Sequence, residues 1–322
     1  MCNVSDTLHI PVLLAECTKA LTGGNKLPGN ESGIERYYLD CTFGGGGHTT
    51  ALLEDDFAAK VIAIDRDPLA VTKGAALLTK FAPRLTLIKG KFSDSSSLLE
   101  SHGFKNLRFD GVLADLGFST DQLKSDRGFS LRDEVGLDMR MGESEFTAKE
   151  IVNTWSYRDL KRIFQEGGAT KEAHLAATII INGRPFTTAF ELASTLEMPL
   201  IAKRGYRSGG THPATVIFQA LRIAVNREFI ELQSLLDQLP GLITSKGRVA
   251  IIAFHSLEDE IVAKRFRSWA EGDTTPARWR GSDTRKKALG IHLTKKAITA
   301  GEIEVAQNAA SRSARLRVFE FF

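Results

Sequence analysis

YYLDCTFGGGGHTT, residues 37–50, decides the fold. An apolar run ends in the acid Asp40 and gives way to four glycines at 44–47 and then His48. The apolar part predicts a buried strand. The glycines predict a turn free of side chains that opens a helix, where the backbone can approach a ligand closely. Outward from this stretch, short apolar runs recur at 60–65 (KVIAID), 84–89 (RLTLIK), 109–114 (FDGVLA) and 248–254 (RVAIIAF), with helix-like segments between them. Continuous rather than alternating hydrophobicity indicates strands covered on both faces, which predicts an α/β fold with a mostly parallel sheet. The closing LRVFEFF, 316–322, is expected to add a last edge strand.

About 130 residues separate the fourth and fifth runs, too many for one crossover helix, so an inserted all-helical domain is expected there. TAKEIVNTWSYRDLKRIFQEGG begins with a Thr147-x-x-Glu150 capping box and ends in glycines; KEAHLAATIIINGR and TAFELASTLEMPL follow as shorter helices. One long amphipathic helix is then expected, with Ile217, Leu221, Val225, Leu232, Leu235 and Leu239 on one stripe, returning the chain to the sheet. The predicted division is a discontinuous sheet domain at 1–123 and 213–322 and a helical insert at 124–212.

With 43% hydrophobic and 25% charged residues among 322, the composition is globular. The longest apolar runs are far shorter than the roughly 18 residues of a membrane span, and the first 30 residues lack a signal-like core, so a soluble cytoplasmic protein is expected. Cys2, Cys17 and Cys41 form no C-x-x-C pair, and no His–carboxylate cluster has metal-ligand spacing, so no metal is expected. Residues 264–317 hold 13 Lys or Arg against 5 Asp or Glu, an excess of eight that leaves the rest of a +3 chain at −5. Such a basic stretch suits a phosphate-rich partner, and equally a solvated tail.

Two cofactors compete for the glycine turn: a nicotinamide dinucleotide and S-adenosylmethionine. A G-x-G-x-x-G fingerprint counted from Gly44 or Gly45 meets Thr49 or Thr50 where its third glycine should fall, which weakens the dinucleotide. Asp65, 18 residues after Gly47, can accept hydrogen bonds from the ribose of either cofactor. Phe92, after the third strand, can pack on adenine or simply join the core. The fourth strand ends ADLGFSTDQL and sets Asp115 at the crevice mouth, followed by Gly117, Ser119, Thr120 and Gln122.

These residues belong to a longer series: HIPVLLAE (9–16), DCTFGGGGH (40–48), AIDRDP (63–68), ADLGFSTDQL (114–123), RGFSLR and LDMRM (127–141), HPAT and FQALRIAVNRE (212–228), FHSLED (254–259) and RSARLR (312–317). Together, and in this order over nearly the whole chain, they resemble the bacterial 16S ribosomal RNA cytosine-N4 methyltransferases. The resemblance implies a Rossmann-like methyltransferase sheet with a helical insert after the fourth strand. It also implies methyl transfer from S-adenosylmethionine to the exocyclic N4 of a cytidine in the decoding region of small-subunit RNA. It carries cofactor contacts to Gly46, Gly47, His48, Asp65, Phe92, Asp115 and Gln122. The chain departs from the family pattern in FQEGGATKEA, at Val216, at Asp121 and in QNAASRS, mostly away from the cofactor residues.

The N4 lone pair of cytosine is delocalised, so positioning should dominate catalysis, helped by an acceptor for the amine hydrogens. Asp115 is expected either to be that acceptor or to hold the methionine amine. Other amino-methyltransferases carry Asp-Pro-Pro-aromatic at the equivalent strand end; here DLGF offers Phe118 for stacking on a displaced base. His255 can bond the cytosine edge or be a structural histidine; Ser256 and Asp259 read as a capping box, as do Ser119 and Gln122, and His212 as a helix-entry residue. Arg204, Arg207, Arg312 and Arg315 are expected RNA contacts. Trp269 and Trp279 interleave with Arg267, Arg278 and Arg280, which suits RNA or a small local core. The expected partner is 16S RNA within the small subunit, bound by a monomer or homodimer. The rivals are a paralogue with another RNA cytidine, a non-catalytic ribosome assembly factor that binds RNA, and a nicotinamide-dependent oxidoreductase.

Overall fold

The structure, a computed structural model, describes residues 11–23, 35–117, 126–204, 211–271 and 287–322, without the Arg204 side chain. Phe118, Ser119, Thr120, Gln122, Arg207, Arg278, Trp279 and Arg280 lie outside the described residues. The chain divides into two compact units, one formed by Met1–Gly117 with Ile230–Phe322 and the other by Phe118–Phe229.

The first unit is built on β1 (Arg36–Asp40), β2 (Ala59–Asp65), β3 (Leu85–Lys89), β4 (Phe109–Asp115), β5 (Ile243–Ala253), β6 (Gly290–His292) and β7 (Arg315–Phe321). The sheet order is β3-β2-β1-β4-β5-β7-β6. The first five strands pair in parallel, and β7 runs antiparallel to both β5 and β6. This is the Rossmann-like sheet expected, with an inserted helical unit after β4. It departs from the 3-2-1-4-5-6 order of dinucleotide-binding sheets at the β7 insertion.

The continuous apolar runs have the expected cause: both sheet faces are covered. Leu39, Ile62, Ile64, Val112, Ala114, Val249 and Ile251 face one core, shared with α5 (Ser95–Ser101), the later turns of α11 (Glu228–Leu242) and α12 (Ser256–Glu271). Their neighbours Tyr38, Val61, Ala63, Leu113, Ala250 and Ile252 face the other, shared with α1 (Leu14–Thr22) and α2 (Gly47–Asp55). The period of two is therefore present but hidden, because each alternate residue finds its own apolar partner. Helices α3 (Pro68–Lys73) and α4 (Ala75–Lys80) follow β2, and Asp67 caps α3 by accepting from Leu69 N at 3.0 Å.

The carboxyl-terminal run is not the edge strand expected. β7 lies between β5 and β6, with Phe319 and Phe321 in one core and Leu316 and Val318 in the other. The three residues of β6 shield its outer side. Trp269, 3% exposed, stacks on Phe266 and packs edge-on to Phe319, which gives it the local-core role.

The second unit contains α6 (Ala148–Thr154), α7 (Tyr157–Glu166), α8 (Ala173–Gly183), α9 (Ala189–Arg204) and α10 (Thr215–Asn226) around one apolar core. The Thr147–Glu150 capping box is present with both reciprocal bonds, a stabilisation of about 1 kcal/mol at such a helix start. His212 is a helix-entry residue, its Nδ1 accepting from Ala214 N at 3.2 Å.

Two corrections concern the long helix expected after residue 212. It is two helices, broken at Arg227, whose φ of 52° is left-handed. Arg222 pairs with Glu228 across the break at 2.8 and 2.9 Å, and Asn226 turns its side chain to Met139 O and Met141 N. The apparent stripe is accordingly split: Ile217, Leu221 and Val225 join the core of the second unit, while Leu232, Leu235 and Leu239 join that of the sheet. Helix α10 therefore packs with the insert, and the contacts put the unit boundary at 229 rather than 212.

Candidate functional site

Parallel strands deliver their carboxyl ends to one edge, and here β2, β1 and β4 end in Asp65, Asp40 and Asp115, while β5 runs on into the Phe254–His255 pair. The turn after β1 is fixed by Phe43 N donating to Ile64 O at 3.0 Å and Gly46 N to Phe43 O at 2.7 Å. Gly44 and Gly46 adopt φ of 52° and 75°, and only glycine does this without strain. Gly46 is the N-cap of α2, and a Cβ on Gly47, its first residue, would sit 2.2 Å from Pro11 Cγ.

Asp65 is tied into that turn. Its Oδ2 accepts from Gly44 N at 2.7 Å and its Oδ1 from Asp67 N at 2.8 Å. Burial pushes its carboxyl above the ordinary aspartate range, against the pull of those two backbone bonds. Each oxygen retains a lone pair for a further donor.

Asp40, fully buried, accepts from Thr49 Oγ1 at 2.7 Å and Thr42 N at 3.0 Å. Burial raises its pKa too, opposed by the Thr49 hydroxyl, the neighbouring His48 and the Thr42 N–H. Thr42 Oγ1 accepts from Asp115 N at 2.7 Å, so one threonine links the tips of β1 and β4. His48 has its Nε2 3.0 Å from Val12 O and its Nδ1 3.8 Å from Asp115 Oδ2. Sequence reading named Asp65, Asp115 and His48 but gave no role to Asp40, Thr42 or Thr49. Their signal was the acid directly before the glycine turn and the two hydroxyls flanking it.

Phe92 opens the turn Phe92–Asp94 after β3, its ring half-buried against the core containing Ile88 and Leu99. Gly117 packs under Phe254, where an added Cβ would lie 2.7 Å from Cε2. His255 faces Glu258, with Nδ1 3.4 Å from Glu258 N and Nε2 3.2 Å from Oε1. The expected Ser256–Asp259 capping box is not formed. Glu258 Oε2 takes the Phe254 and His255 N–H groups at 2.9 and 3.4 Å, while Asp259 is drawn to Arg317 and Arg315 on β7. Two guanidiniums outbid one hydroxyl for that carboxylate. Arg315 thus already holds an ion pair, whereas Arg312 lies on the short Ala309–Ser313 turn before β7.

The MraW methylase family model matches residues 6–322. The chain belongs to the MraW methylase family. Among its relatives is the ribosomal RNA small subunit methyltransferase H of Granulibacter bethesdensis, 40% identical over 319 residues, 97% of this chain and 91% of that one. The proteins of the same name from Synechocystis and Campylobacter curvus are 40% and 38% identical, covering 98% and 97% of this chain and 93% and 97% of their own.

Membership makes S-adenosylmethionine the cofactor. The strand-tip residues fit it. Among the described residues a Cβ on Gly44 would meet nothing nearer than Thr42 O at 3.9 Å, so within them this glycine leaves open space beside the Asp65 carboxylate. A nucleoside can therefore lie against bare backbone there with its ribose hydroxyls on Asp65. Among the described residues no helix is long and apolar enough to cross a membrane. Cys17 and Cys41 are buried free thiols whose pKa burial pushes well up, which leaves them unreactive.

Proposed function

We propose that the chain methylates the exocyclic N4 of a cytidine in the decoding region of 16S ribosomal RNA, with the small ribosomal subunit as its partner. The observation that carries this reading is identity of about 40% along nearly the full length of relatives named ribosomal RNA small subunit methyltransferase H. The N4 position follows from the motif resemblance and from an acidic strand tip, Asp115, suited to an amine.

S-adenosylmethionine, when bound, supplies a methyl group made electrophilic by the sulfonium. The chain has three tasks around it. Gly46, Gly47 and His48 shape the turn, Asp65 accepts the ribose hydroxyls, and Phe92 packs beside the adenine, with Gln122 a further cofactor contact. Asp115 accepts a hydrogen bond from the target amine, which raises electron density on nitrogen as the new N–C bond forms; the amine proton leaves toward that carboxylate. Holding the methionine amine is the alternative use of the same group. Phe118 offers a face for the displaced cytosine, and His255 a hydrogen bond to its edge or phosphate. The base must be flipped or single-stranded to be reached, held by Arg204 and Arg207 of the helical insert and by Arg312 and Arg315 near the carboxyl terminus.

The test is to map N4-methylated cytidines in 16S RNA from cells with and without the gene, and to follow labelled methyl from S-adenosylmethionine into small subunits. An unchanged cytidine map refutes the N4 reading. Phe118→Ala is expected to slow RNA turnover at unaltered cofactor affinity; equal loss of both would remove the stacking role.

A further inference from the structure

Asp65 at the tip of β2 is in register with Lys89 at the tip of β3, and Gly90 N donates to Asp65 O at 2.9 Å. A ribose held by Asp65 would send its two substituents in opposite directions across the strand tips. With the sulfur-bearing arm toward Asp115 on β4, and adjacent strands about 4.8 Å apart, the base would meet the turn that follows β3.

That turn is held from a distant part of the chain. Gln238 on α11, 145 residues from Ser93, donates its Nε2 to Ser93 O. Its Oε1 accepts from Ser96 N at 2.8 Å. One planar amide thus bridges a carbonyl and the N–H three residues later, across the entry to α5. From the same helix the buried Glu231 sets its Oε1 3.5 Å from Lys91 Nζ. Ser95 Oγ donates to Phe92 O at 2.6 Å. Phe92 is therefore flanked on both sides by contacts from α11, two hydrogen bonds from Gln238 on one side and the Glu231–Lys91 ion pair on the other.

We propose that Gln238 is a positioning residue for the cofactor's nucleobase. By splinting the Ser93 carbonyl to the Ser96 amide it fixes the height and tilt of the Phe92 ring and the backbone edge that the base meets, and so sets discrimination between adenine and other purines. Glu231 supports the same turn through Lys91. The inference rests on the reading of Asp65 and Phe92 as cofactor contacts. A residue that only stabilised the fold would weaken every ligand alike and lower turnover with it.

The experiment uses the full chain and two variants, Gln238→Met, which keeps the side-chain length without either hydrogen bond, and Glu231→Gln. Calorimetry measures S-adenosylhomocysteine against S-inosylhomocysteine, alongside melting temperature and kcat on small subunits at saturating cofactor. Gln238→Met is expected to raise the Kd for the adenosyl ligand about tenfold, equivalent to about 1.4 kcal/mol. The inosyl ligand should shift less than about twofold and kcat should hold within about twofold. Glu231→Gln should move the adenosyl-to-inosyl ratio the same way by a smaller factor. The inference is overturned if both variants keep the wild-type ratio, or if both ligands and kcat fall together. A wild-type chain that binds neither ligand overturns the cofactor reading, and this inference with it.

Discussion

Alanine at Gly46 and alanine at Gly44 separate two properties of the glycine turn. Both residues are left-handed, with φ of 75° and 52°, so each substitution incurs the left-handed penalty of about 1–2 kcal/mol. Only Gly46 is also enclosed: a Cβ there would lie 2.4 Å from Leu77 Cδ1 and 2.8 Å from Phe43 Cζ. Leu77 can swing a methyl aside. Phe43 is 3% exposed and already packs against the backbone at Gly74, where a Cβ would come within 2.9 Å of its Cε1, so it has nowhere to go. Overpacking of this kind adds about 1–3 kcal/mol, which predicts a total of about 2–5 kcal/mol for Gly46→Ala against about 1–2 for Gly44→Ala. Urea titration of each variant, with midpoint and slope fitted separately, measures the difference. Cofactor affinity should rank the other way, because the methyl at position 44 projects into the open space beside Asp65 while the methyl at 46 points into the core. Equal destabilisation by the two alanines, or a Gly44→Ala protein that binds S-adenosylhomocysteine as the wild type does, would refute the reasoning.

Asp65→Asn cannot accept from both Gly44 N and Asp67 N while also receiving ribose hydroxyls, and should weaken S-adenosylhomocysteine by about 10–100-fold in calorimetry. Because burial raises the Asp65 pKa, the ionised form is lost at a pH above that of an ordinary aspartate; affinity should fall on acidification while exposed carboxylates are still charged, and a flat profile between about pH 7 and 4 would count against the assignment. Burial pushes Asp259 up, but the hydrogen bonds and charges of Arg317 and Arg315 outweigh it and hold the carboxyl below its ordinary value. Its contribution is therefore present above the unfolded value of about 3.9 and lost as pH falls through the lower folded one. Asp259→Asn should cost about 1–3 kcal/mol at neutral pH, less than for a fully enclosed pair since Arg315 is 44% exposed, and thermal melts should show the gap closing in acid. Asn226→Ala should cost about 2–4 kcal/mol by chemical denaturation, because it strands Met139 O and Met141 N inside the insert; a loss under about 1 kcal/mol would show that the α10–α11 break does not depend on it.

Much of the sheet was legible because each parallel strand reports its own burial: a residue with apolar neighbours on both faces has to be apolar itself. The Thr147 box was legible because capping is local chemistry, complete within four residues. What escaped depends on partners far along the chain. Gly290–His292 is too short to carry a period and exists because β7 leaves an edge to be paired. The stripe from Ile217 to Leu239 is periodic throughout, so nothing in it marks the break; Arg227 turns left-handed because Asn226 is claimed by Met139 and Met141, more than 80 residues away. Ser256-x-x-Asp259 satisfies the capping pattern, yet the arginines on β7 compete for the acid and Glu258 takes the cap. The same blindness hid Gln238, an ordinary polar residue on a helix until the turn after β3 is laid against it.

The identity of the cofactor also has a cause in charge, one visible only once the strands are side by side. Asp65, Asp40 and Asp115 end adjacent strands in the order β2-β1-β4, around the first turn of the fold. At an effective dielectric of about 20, a unit charge about 6 Å from another is worth about 3 kcal/mol. A pyrophosphate at the α2 N-terminus would gain the partial positive charge of that helix but face, with its own negative charges, the two of these acids that are not fully buried, Asp65 and Asp115. A sulfonium and an ammonium meet the same acids with the favourable sign. The missing third glycine weakens the dinucleotide by shape, and the acids at the strand tips oppose it by electrostatics. Two independent physical terms therefore select a cationic methyl donor over an anionic hydride carrier on a sheet that, in its first five strands, could have served either.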